Sequence, residues 1–198
     1  MPIFKGLYTK YINMDKVKVI AISGVSGCGK TSVIKQLAKE FSCPYLLFDD
    51  HTDENTYPND MKLWFKHGAD VAEIKTPKFV NSLRHLKAKS NNAFIFIEEP
   101  FGRCRDSIAS LIDYVVLLDL PMEVCLSRVI MRHIKHASGD SLNTIPRYLS
   151  MYDDHFRDIY IESTNQVRED SDLIIQEVAS IESTTKSIIN FLKNNTKQ

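Results

Sequence analysis

No charge of either sign dominates this sequence. Its 25 lysines and arginines balance 25 aspartates and glutamates, so no global field draws in nucleic acid or an anionic membrane. No apolar run approaches the roughly 20 residues that a membrane-spanning helix needs. Residues 1–16 lack a continuous apolar core; they do not read as a signal peptide and are expected to form a loosely held extension. Cysteine is scarce and dispersed. Cys28, Cys43, Cys104 and Cys125 make no C-x-x-C pair, which fits reduced thiols in a cytoplasmic protein better than a disulfide framework or a zinc site. His133-x-x-His136 likewise has no second pair to complete a metal site. Internal repeats, low-complexity tracts and linkers are absent. The 198 residues therefore read as one domain, which at that size buries roughly 70% of the unfolded chain's surface. Arginine is missing until Arg84.

What the chain does contain is Gly24-Val25-Ser26-Gly27-Cys28-Gly29-Lys30-Thr31, which fits G-x-x-x-x-G-K-[ST]. Glycines at this spacing let the backbone curl so that successive N–H groups point inward as an anion-binding nest. The positive end of the following helix dipole faces the same point. Lys30 adds a charge that reaches β- and γ-phosphates, and the Thr31 hydroxyl is a Mg²⁺ ligand candidate. The context supports a phosphate loop over a glycine-rich turn with a stray lysine. Residues 17–23 read as a buried strand, and Val33, Ile34, Leu37, Ala38 and Phe41 give the next segment one apolar helical face. The candidate ATP contacts run from Gly24 through Thr31 to Ser32. Cys28 has two readings: a thiol acidified by the dipole, or simply a small residue that fits.

Pro44 blocks continuation of that helix, and residues 45–48 read as a second strand ending in Asp49-Asp50-His51. In open α/β sheets ligands gather at the carboxyl ends of strands. Asp49 and Asp50 are thus candidates for Mg²⁺ ligation or proton removal from an acceptor hydroxyl, against the blander reading of a solvated turn. Residues 51–78 lack a strand and read as a substrate-covering insert, with a short helix over 59–67 stopped by Gly68. Tyr57, Trp64 and Phe65 offer stacking faces for a base, but core packing is expected for at least two of them. Thr76-Pro77 starts another helix. A buried strand at residues 93–97 ends in Glu98-Glu99, the Walker B pattern in which a carboxylate serves Mg²⁺. After a strand at 114–119, Pro121 opens a helix with Arg128 and Arg132 on one face. The polar stretch 133–143 reads as a lid whose flanking arginines close over phosphates. Ile145, Leu149, Tyr152, Phe156 and Ile159 predict one long amphipathic helix bearing Arg157. A last strand at 173–175 and a helix over 181–192 follow. The alternation predicts an α/β fold of the P-loop type: a parallel sheet of about five strands between two helical layers.

This order of landmarks resembles the uridine kinase, phosphoribulokinase and nicotinamide riboside kinase group of P-loop kinases, from Val17 to Ile175. The resemblance rests on the loop, Asp49 after the second strand, Glu98 after the third, Arg128-x-x-x-Arg132, and Tyr152…Arg157…Asp172-Leu173-Ile174-Ile175. It implies ATP and Mg²⁺ as cofactors and transfer of the γ-phosphate to a small alcohol. It further implies Asp49 as base and Arg128 and Arg132 on the phosphates. The residues' own placement adds Lys30 on the phosphates and Thr31, Asp50 and Glu98 about the metal. It also adds Asp49, Tyr57, Glu98 and Arg157 as candidate acceptor contacts, Arg157 also converging on the phosphates with the lid. Three departures stand out. Glu98-Glu99 replaces the group's Glu-Gly, His133 replaces an Asp, and Arg157-Asp158 replaces Arg-Pro.

A GTPase would need N-K-x-D and an ABC-type ATPase L-S-G-G; neither occurs. An ATP-binding protein without kinase activity is opposed by intact Lys30, Thr31 and Asp49. As to the acceptor, the insert sets Lys62, Lys66, Lys75 and Lys78 against Asp50, Asp53, Glu54, Asp60, Asp70 and Glu73, with no arginine. A second phosphate would find no planar fork there. The expected acceptor is therefore a nucleoside-like alcohol, with a nucleoside monophosphate or a sugar or gluconate-type acceptor as runners-up. No nucleic acid or membrane partner is expected, and the oligomeric state is not readable.

Overall fold

Residues 19–22 and 94–97 are apolar without alternation, the pattern of strands covered on both faces. In the computed structural model, which describes residues 17–135 and 144–196, they form the middle of a five-stranded parallel sheet. The elements in order are β1 (Lys18–Ser23), α1 (Lys30–Phe41), β2 (Tyr45–Leu46), α2 (Met61–Lys66), α3 (Pro77–Lys89), β3 (Phe94–Glu98) and α4 (Asp106–Ala109). Then come β4 (Tyr114–Leu118), α5 (Met122–Lys135), α6 (Thr144–Met151), α7 (Arg157–Glu169), β5 (Leu173–Ile175) and α8 (Ile181–Asn195). The sheet order is β2-β3-β1-β4-β5, with Ile20 opposite both Phe96 and Tyr114. The extension expected over 1–16 lies outside the described residues, as does the 136–143 part of the expected lid. Residues 133–135 belong to α5.

Alternate side chains of each strand face opposite layers. Ile20, Ile22, Phe94, Phe96, Val116 and Leu118 pack with Val33, Ile34 and Leu37 of α1 and Ile188 and Leu192 of α8. Val19, Ala21, Ile95, Ile97, Val115 and Leu117 pack with α3 through Phe79 and Leu83, with α4 through Ile108, and with α7 through Val167. A third cluster of Phe48, Trp64, Val71, Ile74 and Ile159 lies beneath the insert and ties it to α7. The expected α/β sandwich is therefore present, and Pro77 opens α3 at its first turn as expected.

Two local readings change. The second strand is only Tyr45–Leu46, and Asp49–His51 form a 3₁₀ turn. The single long helix expected from Ile145 to Ile159 is instead α6, a π turn over Tyr152–Phe156, and α7 running on to Glu169. The reason lies in the aromatic row Tyr148, Tyr152, Phe156 and Tyr160. A spacing of four drifts by ~40° per step on a regular α-helix, and a wider π turn winds the row back toward one side. Tyr148–Phe156 and Tyr152–Tyr160 ring centroids, eight residues apart and across that turn, then stand 6.1 and 6.2 Å apart.

Candidate functional site

The loop after β1 closes where the sequence placed it. Gly24, Gly27 and Gly29 have φ of 129°, 87° and 106°, conformations that side chains disfavour. Gly29 caps α1 without any side-chain hydrogen bond, so the first-turn N–H groups stay free for an anion. Lys30 is buried, its Nζ donating to Val25 O at 3.1 Å and lying 3.6 Å from Glu98 Oε1. Thr31 Oγ1 donates to Glu98 Oε2 at 2.9 Å. From α5, Arg128 Nη1 reaches Cys28 O and Arg132 Nη2 reaches Ser26 Oγ, each at 3.4 Å. Helix α5 thus brings both arginines over the loop, as their four-residue spacing implies.

A cavity of about 840 Å³ opens from this loop across the carboxyl ends of the strands. Val25, Ser26, Thr31 and Ser32 line it with Lys30, Arg128 and Arg132. Ala179, Ser180 and Ile181, at the start of α8, bound the loop side, with Ile181 beside Gly29. Across the cavity stand Asp49, Tyr57, Met61, Trp64, Phe101, Phe156, Tyr160, Ser163 and Thr164. Tyr57 as a whole is 42% exposed, but desolvation of its hydroxyl against the cavity wall, with help from the Asp49 charge, pushes that hydroxyl up to about 12, so it remains a neutral donor. Trp64 is buried with Nε1 donating to Asp70 O, and Phe65 packs against the same cluster; two of the three insert aromatics are core.

Not every candidate reaches the cavity. Adjacent residues of a 3₁₀ turn point about 120° apart. Both are exposed, but Asp49 lines the cavity and Asp50 does not. Arg157 is also outside the lining; it is largely exposed and pairs with Asp158 at 3.6 Å. Cys28 is buried, and burial pushes its thiol up despite the neighbouring Lys30. It is a small residue that fits, not an acidified one.

Thr31 and Glu98 offer one hydroxyl and one carboxylate beside the phosphate nest. That donor set suits Mg²⁺, which keeps most of its waters and shares phosphate oxygens, rather than a closed cage. Among the described residues, no group of three or more His, Cys, Asp or Glu could hold a metal ion by itself. Among them, too, no helix is long and apolar enough to cross a membrane.

Other residues here escaped the sequence reading. Glu99 and Arg105 are fully buried and joined through a two-pronged ion pair. The doubled acid at Glu98-Glu99 was the only signal. Tyr160, Ser163 and Thr164 follow Phe156 around α7, and the Thr164 hydroxyl is buried without a hydrogen-bond partner.

No family model matches the chain. A uridine kinase of Schizosaccharomyces pombe (strain 972 / ATCC 24843) is 26% identical over 160 residues, 67% of this chain and 35% of that protein. The chain thus spans about a third of the length of this curated relative. The structure is similar to a shikimate kinase from Aquifex aeolicus vf5, with TM-score 0.51, 17% identity, and 89% and 97% of the two chains covered. It is also similar to a gluconokinase from Sinorhizobium meliloti 1021, with TM-score 0.53, 14% identity, and 91% and 94% covered. At such identities the likeness establishes the fold.

Proposed function

We propose that this chain is an ATP-dependent small-molecule kinase that transfers the γ-phosphate to a hydroxyl of a neutral, nucleoside-like acceptor. One observation carries the reading: charge is segregated across the cavity. Its cationic side chains among the described residues, Lys30, Arg128 and Arg132, all gather at the phosphate loop. Away from the loop, the lining drawn from the insert cluster presents Trp64, Phe101 and Phe156, with Tyr57 beside Phe48 and Asp49 as the carboxylate next to them. Aromatic faces suit a flat ring, and a lone carboxylate suits a hydroxyl proton. Among the described residues of the lining, no cation stands there to offset the desolvation of an acceptor's own phosphate or carboxylate. The uridine kinase likeness favours the same acceptor class, and the two kinase folds favour phosphoryl transfer.

The roles follow from position. The loop N–H groups and Lys30 bind the β- and γ-phosphates, and Arg128 and Arg132 stabilise charge as the phosphoryl group leaves. Thr31 and Glu98 would hold Mg²⁺, which when bound neutralises phosphate charge. Asp49 takes the acceptor proton, and the neutral Tyr57 hydroxyl donates to the acceptor. Asp50 and Arg157 have no part in this scheme.

Steady-state assays with ATP·Mg²⁺ on uridine and UMP, cytidine and CMP, gluconate and shikimate test it. A nucleoside should exceed its monophosphate and either carboxylate by about tenfold or more in kcat/KM. A monophosphate or carboxylate preferred by that factor overturns the acceptor, and transfer to none overturns the kinase. In the same assay Asp49→Asn should lower turnover about 10²–10⁴-fold, and Asp50→Asn little.

A further inference from the structure

The insert that walls the acceptor half is tied to the sheet by a buried charge pair rather than by apolar packing alone. Arg105 is 1% exposed and Glu99 is 0% exposed. Arg105 Nε donates to Glu99 Oε1 at 3.2 Å, and Nη2 donates to Oε2. Its remaining prong, Nη1, crosses to the insert and donates to Ile74 O at 3.0 Å and Thr76 Oγ1 at 2.8 Å. The guanidinium carbon also sits 5.3 Å from the Phe48 ring, one residue before Asp49. Glu99 in turn is fixed to β1, its N–H donating to Ile22 O and its carbonyl accepting from Ser23 Oγ. Glu99 directly follows Glu98 in the chain. One side chain thus touches the platform under Asp49, the insert wall at Ile74 and the strand end that carries Glu98.

Stability alone is a poor reason for this arrangement. Burying two charges costs about as much as their attraction returns, and apolar replacements of similar volume are often neutral. What the pair does supply is fixed geometry. Resting on the kinase reading, we propose that Arg105, held by Glu99, is a positioning residue that sets Asp49 and the insert wall against Glu98 and the phosphate loop. It touches neither ATP nor acceptor. A misplacement of about 1 Å at Asp49 is enough to cost about 10² in rate, so loss of the fork should be read in turnover of the acceptor.

Two variants test this. Arg105→Lys keeps the charge beside Glu99 but cannot make the fork and reach the insert together. The double change Glu99→Leu, Arg105→Met removes both charges and leaves none unpaired. In each, kcat/KM for the acceptor should fall about tenfold or more, mostly in kcat, with KM for ATP within about twofold. Backbone amides of residues 52–76 should exchange about tenfold faster, with β1 and β3 unchanged. A folded double variant with acceptor kcat/KM within about twofold of the natural protein overturns the proposal, as does an equal loss toward ATP. If the natural protein phosphorylates no acceptor, the kinase reading fails on its own. The exchange arm then decides the inference, unchanged protection of 52–76 overturning it.

Discussion

At Gly27 the backbone has φ of +87°, and a Cβ would overlap the carbonyl oxygen of Cys125 in α5. That oxygen belongs to a helix backbone and cannot turn aside. At Gly29, with φ of +106°, a Cβ would meet only Ile181 Cδ1 at 3.7 Å, an ordinary contact. Both positions carry the cost of a left-handed backbone, about 1–3 kcal/mol, but only Gly27 adds a collision. Gly27→Ala should therefore weaken ATP binding and lower Tm more than Gly29→Ala does. Calorimetric titration and thermal melts of the two variants check this. Equal effects would show that backbone strain alone governs the loop.

At the scale of elements, α5 does for the loop what the sequence asked of it. Arg128 and Arg132 lie one turn apart, and both hydrogen-bond atoms of the loop. Removing one preorganised donor from developing charge typically costs about 10²–10³ in rate. If the proposed kinase reading holds, Arg128→Ala and Arg132→Ala should each lower kcat by that order and change the acceptor KM little. Activity kept within a few-fold would reduce them to loop supports. The same element shows why part of this site was legible. A loop, its helix and an i, i+4 pair are local patterns, and local patterns survive in a sequence. Arg105 with Thr76 and Ile74 is a contact across about 30 positions, and no local periodicity announces it. The aromatic row through Tyr152 shared this difficulty. Its spacing of four reads as an ordinary helix until the π turn that realigns it is seen. Resemblance alone told Asp49 from Asp50 in the sequence, and the 3₁₀ turn adds a geometric difference, with Asp49 lining the cavity and Asp50 outside it.

Across the whole molecule, the cavity occupies the carboxyl ends of the strands and a polar clasp holds the opposite edge. Asp113, just before β4, accepts from the Val19 N–H at 2.9 Å and from Lys18 at 3.1 Å, with Lys87 of α3 at 3.5 Å. Burial works against its charge, but these three donors outweigh it and hold the carboxyl below the usual carboxylate range. A depressed folded value means the carboxylate's contribution is complete above the unfolded value of about 3.9 and is lost as pH falls through the folded one. Lys18 is 40% exposed, so water and salt screen part of the interaction, and about 1 kcal/mol is a fair size. Asp113→Asn should then lower Tm at pH 7 by about 2–4 °C. The gap between the two proteins should start to narrow as pH falls below about 4 and close once pH passes the lower folded value, where the natural carboxyl also becomes neutral. Phosphoryl transfer at 25 °C should be unchanged, because the clasp and the cavity lie at opposite ends of the strands. Chemical denaturation at pH 7 and pH 3 reads the difference. A gap as wide at pH 3 as at pH 7 would mean that shape, not charge, makes Asp113 matter.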